Sequence, residues 1–119
     1  MLLLPVLGFP PLTLIRLPFK WERIQPSLNA PLDPAELQRM KTFVEAAEVR
    51  GVQVILDMHN YGRRKMNGTQ YVIGDPVLPV SDVADVWKKI ANEFKVYDNI
   101  WAYGIMNEPH GMLPETPWF

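Results

Sequence analysis

The chain has 119 residues, enough for about one small domain, and its 48% apolar content and formal charge of −1 read as soluble and globular. Twelve basic against thirteen acidic residues leave no basic stripe, which argues against a nucleic-acid partner. Cysteine is absent, so disulfides, thiolate catalysis and thiolate metal sites are excluded.

Residues 1–11 are apolar but lack a basic start, and Pro5, Pro10 and Pro11 interrupt them. No signal peptide or membrane span is visible there, and the stretch reads as an irregular lead-in. Residues 12–119 read as one domain. Leu12–Pro18 is the first predicted strand, with Arg16 set among apolar neighbours. A first helix follows, with Asp33 as cap, Pro34 at the first helical position and Glu36 where a capping-box acid belongs. Leu37, Met40, Val44 and Ala47 line one face of it, and Gly51 ends it.

Val52–Met58 is the second predicted strand. Tyr61 to Pro79 shows no clear period and reads as a long connection, on the substrate side or disordered. A second helix is expected to start with Ser81 as cap and to carry Val83, Val86, Trp87, Ile90 and Phe94 as its apolar stripe. Tyr97-Asp98-Asn99 then turns into a third strand, Ile100–Met106. These short apolar runs suit parallel strands covered on both faces, joined by right-handed helical crossovers. Arg16, His59 and Glu108 then fall at or just beyond strand C-terminal ends and share one rim.

An acid leaving a strand could protonate a departing oxygen, or could cap the next helix, and Asn-Glu-Pro alone leaves Glu108 near even between the two. Asn107 could donate to a sugar hydroxyl or hold the turn through its own backbone. A lone histidine at a strand end is more often structural, yet Asn60, Tyr61, Arg63 and Arg64 around His59 make a polar rim for a polyhydroxyl ligand credible. His59 and His110 have no close-spaced third ligand, which argues against zinc. Arg16 in a buried strand calls for a carboxylate, from Glu22 or Asp57, as a structural ion pair or to position a catalytic acid. Asp57 itself reads as a supporting acid behind the rim. Trp87 and Trp101 read as core, and Trp21 and Trp118 as packing residues before stacking platforms.

Arg16-Leu17-Pro18-Phe19, Trp21-Glu22-Arg23-Ile24-Gln25-Pro26, Leu32-Asp33-Pro34, Ile55-Leu56-Asp57-Met58-His59-Asn60-Tyr61 and Met106-Asn107-Glu108-Pro109-His110 together resemble glycoside hydrolase family 5, and its endo-β-1,4-glucanases in particular. Each motif alone is weak, and five in register are specific. The resemblance implies part of a (β/α)8 TIM barrel: an α/β arrangement of three parallel strands with two intervening helices, matching strands two to four. It implies Glu108 as general acid/base, Asn107 as partner of the reacting sugar's 2-hydroxyl, His59 as a liner of the cleavage subsite and Arg16 as the arginine that steadies the nucleophile. The family's nucleophilic glutamate, on strand seven, has no match here. The implied function is hydrolysis of a β-1,4-linked glucan, without cofactor and outside the cell. The alternative is a catalytically incomplete carbohydrate-binding or structural fragment. Three parallel strands leave open edges and an uncovered face. A homo-oligomer is therefore expected, burying Leu14, Val54 and Ile105.

Overall fold

The computed structural model describes residues 13–112. The lead-in over residues 1–11, Leu12, Glu115 and Trp118 lie outside the described residues. Three strands form one parallel sheet in the order β1 (Leu14–Phe19), β2 (Gln53–Met58) and β5 (Ile100–Gly104). A single turn, α1 (Trp21–Ile24), follows β1, and the two crossovers are made by α2 (Pro34–Val49) and α3 (Val80–Phe94). No helix among the described residues is long and apolar enough to cross a membrane.

The ends of α2 follow from local chemistry. Asp33 accepts a hydrogen bond from the Glu36 amide at 2.8 Å and Pro34 opens the helix, which satisfies one of the orphan N–H groups of the first turn. At the other end the Val52 amide reaches Ala47 O and the Gly51 amide reaches Glu48 O, the paired bonds of a Schellman stop. The start of α3 differs from the sequence expectation. Its cap is Pro79, not Ser81, and no side chain satisfies the first turn. Pro79 holds extended geometry at φ −68° and ψ 156°, so the chain enters the helix one residue before the serine could cap it.

Parallel pairing sets the faces of the sheet, because partner residues in register point the same way. Ile15, Leu17 and Phe19 pair with Val54, Leu56 and Met58, and this face packs on Met40, Val44 and Ala47 of α2 and on Val83, Val86, Trp87, Ile90 and Phe94 of α3. Asn99 pins the layers together by donating to Val44 O and Val52 O at 3.0 and 3.1 Å. The opposite face carries Leu14, Arg16 and Pro18 beside Gln53, Ile55 and Asp57. Val54 therefore belongs to the helix-covered core and is fully buried within one chain, against the expectation that association would bury it. Leu14 and Ile105 stay partly open, at 40% and 38% exposure.

Trp101 also departs from the sequence reading. Val54 pairs with Ile100 and the next residue, Ile55, with Ala102, so Trp101 is an extra residue in a bulge. It is 59% exposed rather than core.

The segment after β2 is ordered, not an irregular connection. β3 (Arg63–Met66) and β4 (Thr69–Val72) form an antiparallel hairpin. Its loop is Asn67-Gly68, with φ of 49° and 81°, the mirror-image turn that matches strand twist and that this residue pair favours. The hairpin is anchored by Glu22, which accepts from the Lys65 amide at 2.7 Å and from Asn60 Nδ2 at 2.9 Å.

Candidate active site at the C-terminal rim

The sheet ladder continues past the strand ends and fixes the rim. The His59 amide donates to Phe19 O at 2.9 Å, and the Asn107 amide donates to Met58 O at 3.0 Å. The first residues beyond β2 and the second turn beyond β5 are thus tied to their neighbouring strands. Period-2 alternation out of β2 puts Asp57 and His59 on one side, and Tyr61 joins them through a left-handed turn, with φ 57°.

His59 is the hub. Its Nδ1 lies 3.0 Å from Asp57 Oδ2, and its Nε2 lies 2.9 Å from Tyr61 Oη and 3.3 Å from Asn107 Nδ2. An ionised Asp57 can only accept, so Nδ1 carries the proton in the neutral ring and Nε2 is left as the acceptor for both neighbours. Asp57 is buried and adjoins Gly104 of β5, where a Cβ would meet its Oδ1 at 3.4 Å. Asp57 thus sits behind the rim, in hydrogen-bond contact with the histidine.

Glu108 follows Asn107 directly and is exposed. Its carboxylate makes no hydrogen bond or ion pair among the described residues. Its φ is 42°, a left-handed conformation that a glutamate adopts at a cost of about 1–3 kcal/mol. The turn holding it packs against the turn after β2. A Cβ on Gly62 would lie 2.4 Å from Met112 Sδ, and one on Gly111 would lie 2.8 Å from Arg63 Nη2. Glycines at these two positions, both at positive φ (81° and 59°), let those side-chain ends come close without being pushed aside, and the His110 ring lies 6.3 Å from that of Tyr61.

The remaining expected rim residues divide. Arg16 does not reach the rim: it is the third residue of β1, paired with Ile55, because the strand runs on to Phe19. It is exposed, and its guanidinium has no ion pair or hydrogen bond among the described residues. Glu22 and Asp57 are engaged elsewhere, and Arg16 lies on the face that the helices leave open, where water solvates it. The carboxylate partner expected for a buried arginine is therefore absent here. Asn60 and Arg64 do not belong to the rim at all. Asn60 accepts from the Trp21 amide and donates to Glu22 and Arg63 O. Arg64 is 2% exposed, stacks 5.0 Å from the Trp21 ring and donates to Gln25 O at 2.7 Å. Burial pushes its guanidinium below its ordinary value, and Glu22 and Asp82 oppose that shift. Trp21 is fully buried, donates Nε1 to Gln25 and offers no stacking surface. Among the described residues no group of three or more His, Asp or Glu side chains is placed to hold a metal.

Parallel βα units with an acid, an amide and a histidine at the strand exits define the working face of a barrel enzyme. The chain belongs to the cellulases of glycosyl hydrolase family 5, whose family model matches residues 11–118. It is 33% identical over 107 residues to the manganese dependent endoglucanase Eg5A of Phanerodontia chrysosporium, covering 88% of this chain and 26% of that protein. Among solved structures it resembles Pseudomonas stutzeri endoglucanase Cel5A in complex with cellobiose, with a TM-score of 0.76 and 42% identity over 84% of this chain and 29% of that one. The endo-beta-1,4-glucanase Xac0029 from Xanthomonas axonopodis pv. citri gives a TM-score of 0.73 at 38% identity, over 82% of this chain and 29% of that one. The chain thus spans less than a third of the length of these relatives. Its described fold is a three-stranded portion of their (β/α)8 barrel.

Proposed function

We propose that this chain carries the acid/base side of an endo-β-1,4-glucanase site, with Glu108 as the catalytic acid/base. The observation that supports this most is the strained Glu108, displayed to solvent beside Asn107, whose backbone is tied to Met58 O. Glu108 would protonate the glycosidic oxygen as the bond to the sugar breaks, then take a proton from the water that completes hydrolysis. Asn107 and His59 would hold the sugar beside it, and Arg16 would steady the partner acid from the open sheet face. A retaining reaction needs a second carboxylate about 5 Å away as nucleophile, and that residue would lie outside those described.

The substrate class follows the cellobiose bound by the Pseudomonas stutzeri relative: a β-1,4-linked glucan. A polymer of this kind does not cross a membrane, so the site would work outside the cell. Within the described residues β1 and β5 each keep an unpaired edge, and self-association through these edges and the Leu14–Arg16 face is part of the proposal.

Hydrolysis of carboxymethyl cellulose by the parent chain and by Glu108→Gln tests the reading. The substitution is expected to lower kcat by about 10²–10⁴-fold while cellobiose binding survives. Equal rates in the two proteins would overturn it. Cellobiose binding without hydrolysis in the parent would reduce the site to glycan binding.

A further inference from the structure

Tyr61 has no role in the site so far, yet it contacts the His59 hub through both its hydroxyl and its ring. Its φ is 57°, and a bulky residue in that region is a genuine outlier. The surrounding structure holds it there. Arg63 Nη1 donates to the Tyr61 carbonyl at 2.8 Å, Lys20 Nζ sits 5.3 Å from the ring centroid, and the His59 ring stands edge-on at 5.0 Å. Packing of Gly62 against Met112 and Pro109 closes the turn from the other side. A glycine at position 61 would adopt the same backbone without strain. The strain therefore attends the tyrosine, whose hydroxyl it delivers to His59 Nε2.

That delivery has a consequence for Asn107. A neutral imidazole offers one lone pair at Nε2, and two donors compete for it. Tyr61 Oη holds the shorter contact, 2.9 Å, against 3.3 Å for Asn107 Nδ2. We propose that Tyr61 is a positioning residue of this site: it occupies His59 Nε2, fixes the Nδ1-protonated tautomer together with Asp57, and so leaves the Asn107 amide free to turn to a sugar hydroxyl. When Asn107 leaves, the half-buried His59 Nε2 keeps a full hydrogen bond from Tyr61. Without the tyrosine hydroxyl, Asn107 becomes the sole donor to Nε2 and is held back from the ligand.

The second half of this inference rests on the glucan reading, and the first half does not, so the test has two readouts. Nitrogen-15 NMR of the His59 ring and of the Asn107 side-chain amide, at mildly alkaline pH, is compared in the parent, Tyr61→Phe and Tyr61→Gly. Tyr61→Phe keeps the ring and its packing, and Tyr61→Gly removes the backbone strain. Both are expected to move the Nε2 resonance and to slow hydrogen exchange of the Asn107 amide as it takes the vacated lone pair. In a parallel titration with cellobiose, both variants are expected to bind about fivefold to tenfold more weakly, the net worth of one hydrogen bond. A His59 signature unchanged in Tyr61→Phe would overturn the positioning role, because loss of packing alone would leave that variant silent. Altered Nε2 and Asn107 signals with unchanged cellobiose affinity would overturn the link to Asn107. A parent chain that ignores cellobiose would count against the glucan reading, and the ring signature would still decide the tautomer claim.

Discussion

The two faces of the parallel sheet do different work. On the helix side, Val54, Leu56 and Met58 are fully buried, and the contacts are dispersion and apolar burial throughout. On the other side, Arg16 and Leu14 meet solvent, Asp57 is engaged by a histidine, and the chain ends its strands in two strained turns. The apolar core is concentrated on the first face, and the polar rim proposed as the site lies at the end of the second. Strain such as that at Tyr61 and Glu108 persists only because the helix-packed face holds the strand ends in place.

The comparison can be broken most sharply by substitution. Leu56→Ala, on the covered face, is expected to cost about 2–5 kcal/mol in urea unfolding, the range for emptying a buried leucine site. Arg16→Ala, one strand away on the open face, is expected to change stability by no more than about 0.5 kcal/mol while weakening glycan binding. A large stability loss in Arg16→Ala would show that the open face is structural after all.

A smaller effect should appear in acid. Burial would raise the Glu22 carboxyl, but the Lys65 amide, the Asn60 side chain and the Arg64 charge outweigh it and hold the group below the ordinary 4.5. A depressed folded value contributes stability that is present above pH 4.5 and is lost as pH falls through the folded value. Glu22 anchors the β3–β4 hairpin, so the parent is expected to lose stability below pH 4.5 and Glu22→Gln to lose less over the same range. Parallel acid profiles for the two proteins would remove Glu22 from the account.

Much of this division was legible in the residues. The Asp33 cap with Pro34 behind it, the α3 stripe from Val83 to Phe94 and the positions of the three apolar strands follow from short-range rules and appear as expected. Two details do not: the Glu36 carboxylate pairs with Arg39 and Arg23 while the Asp33 amide donates to Ile24 O, so no capping box closes, and the strands are covered on one face only. The hairpin was missed, since Tyr61 to Pro79 reads as one irregular connection, although Asn67-Gly68 signals its turn. Its strands, Arg-Arg-Lys-Met and Thr-Gln-Tyr-Val, lack the apolar alternation that marks a half-buried strand, so the turn signal stood alone. Other features were not local. Trp101 depends on a bulge, and nothing in Ile-Trp-Ala-Tyr-Gly announces the register step that exposes it. Arg64 beside His59 reads as a rim residue until the hairpin twist carries it onto Trp21. Of the expected Arg16, His59 and Glu108 rim, His59 and Glu108 lie beyond strand ends as their motifs suggest, whereas Arg16 lies mid-strand, because the apolar run Leu12–Pro18 does not announce that β1 continues to Phe19. The role of Tyr61 was hidden, because it needs a left-handed backbone that sequence periodicity does not report.

The most direct test of the account is a backbone-amide NMR titration of the chain with cellopentaose. The account predicts shifts confined to the rim, at His59, Tyr61, Asn107 and Glu108, and to Arg16 on the open face, with Val83, Val86 and Ile90 of α3 unmoved. Shifts centred on the helix face, or none at millimolar ligand, would contradict the claim that the open face and its rim form a glycan site.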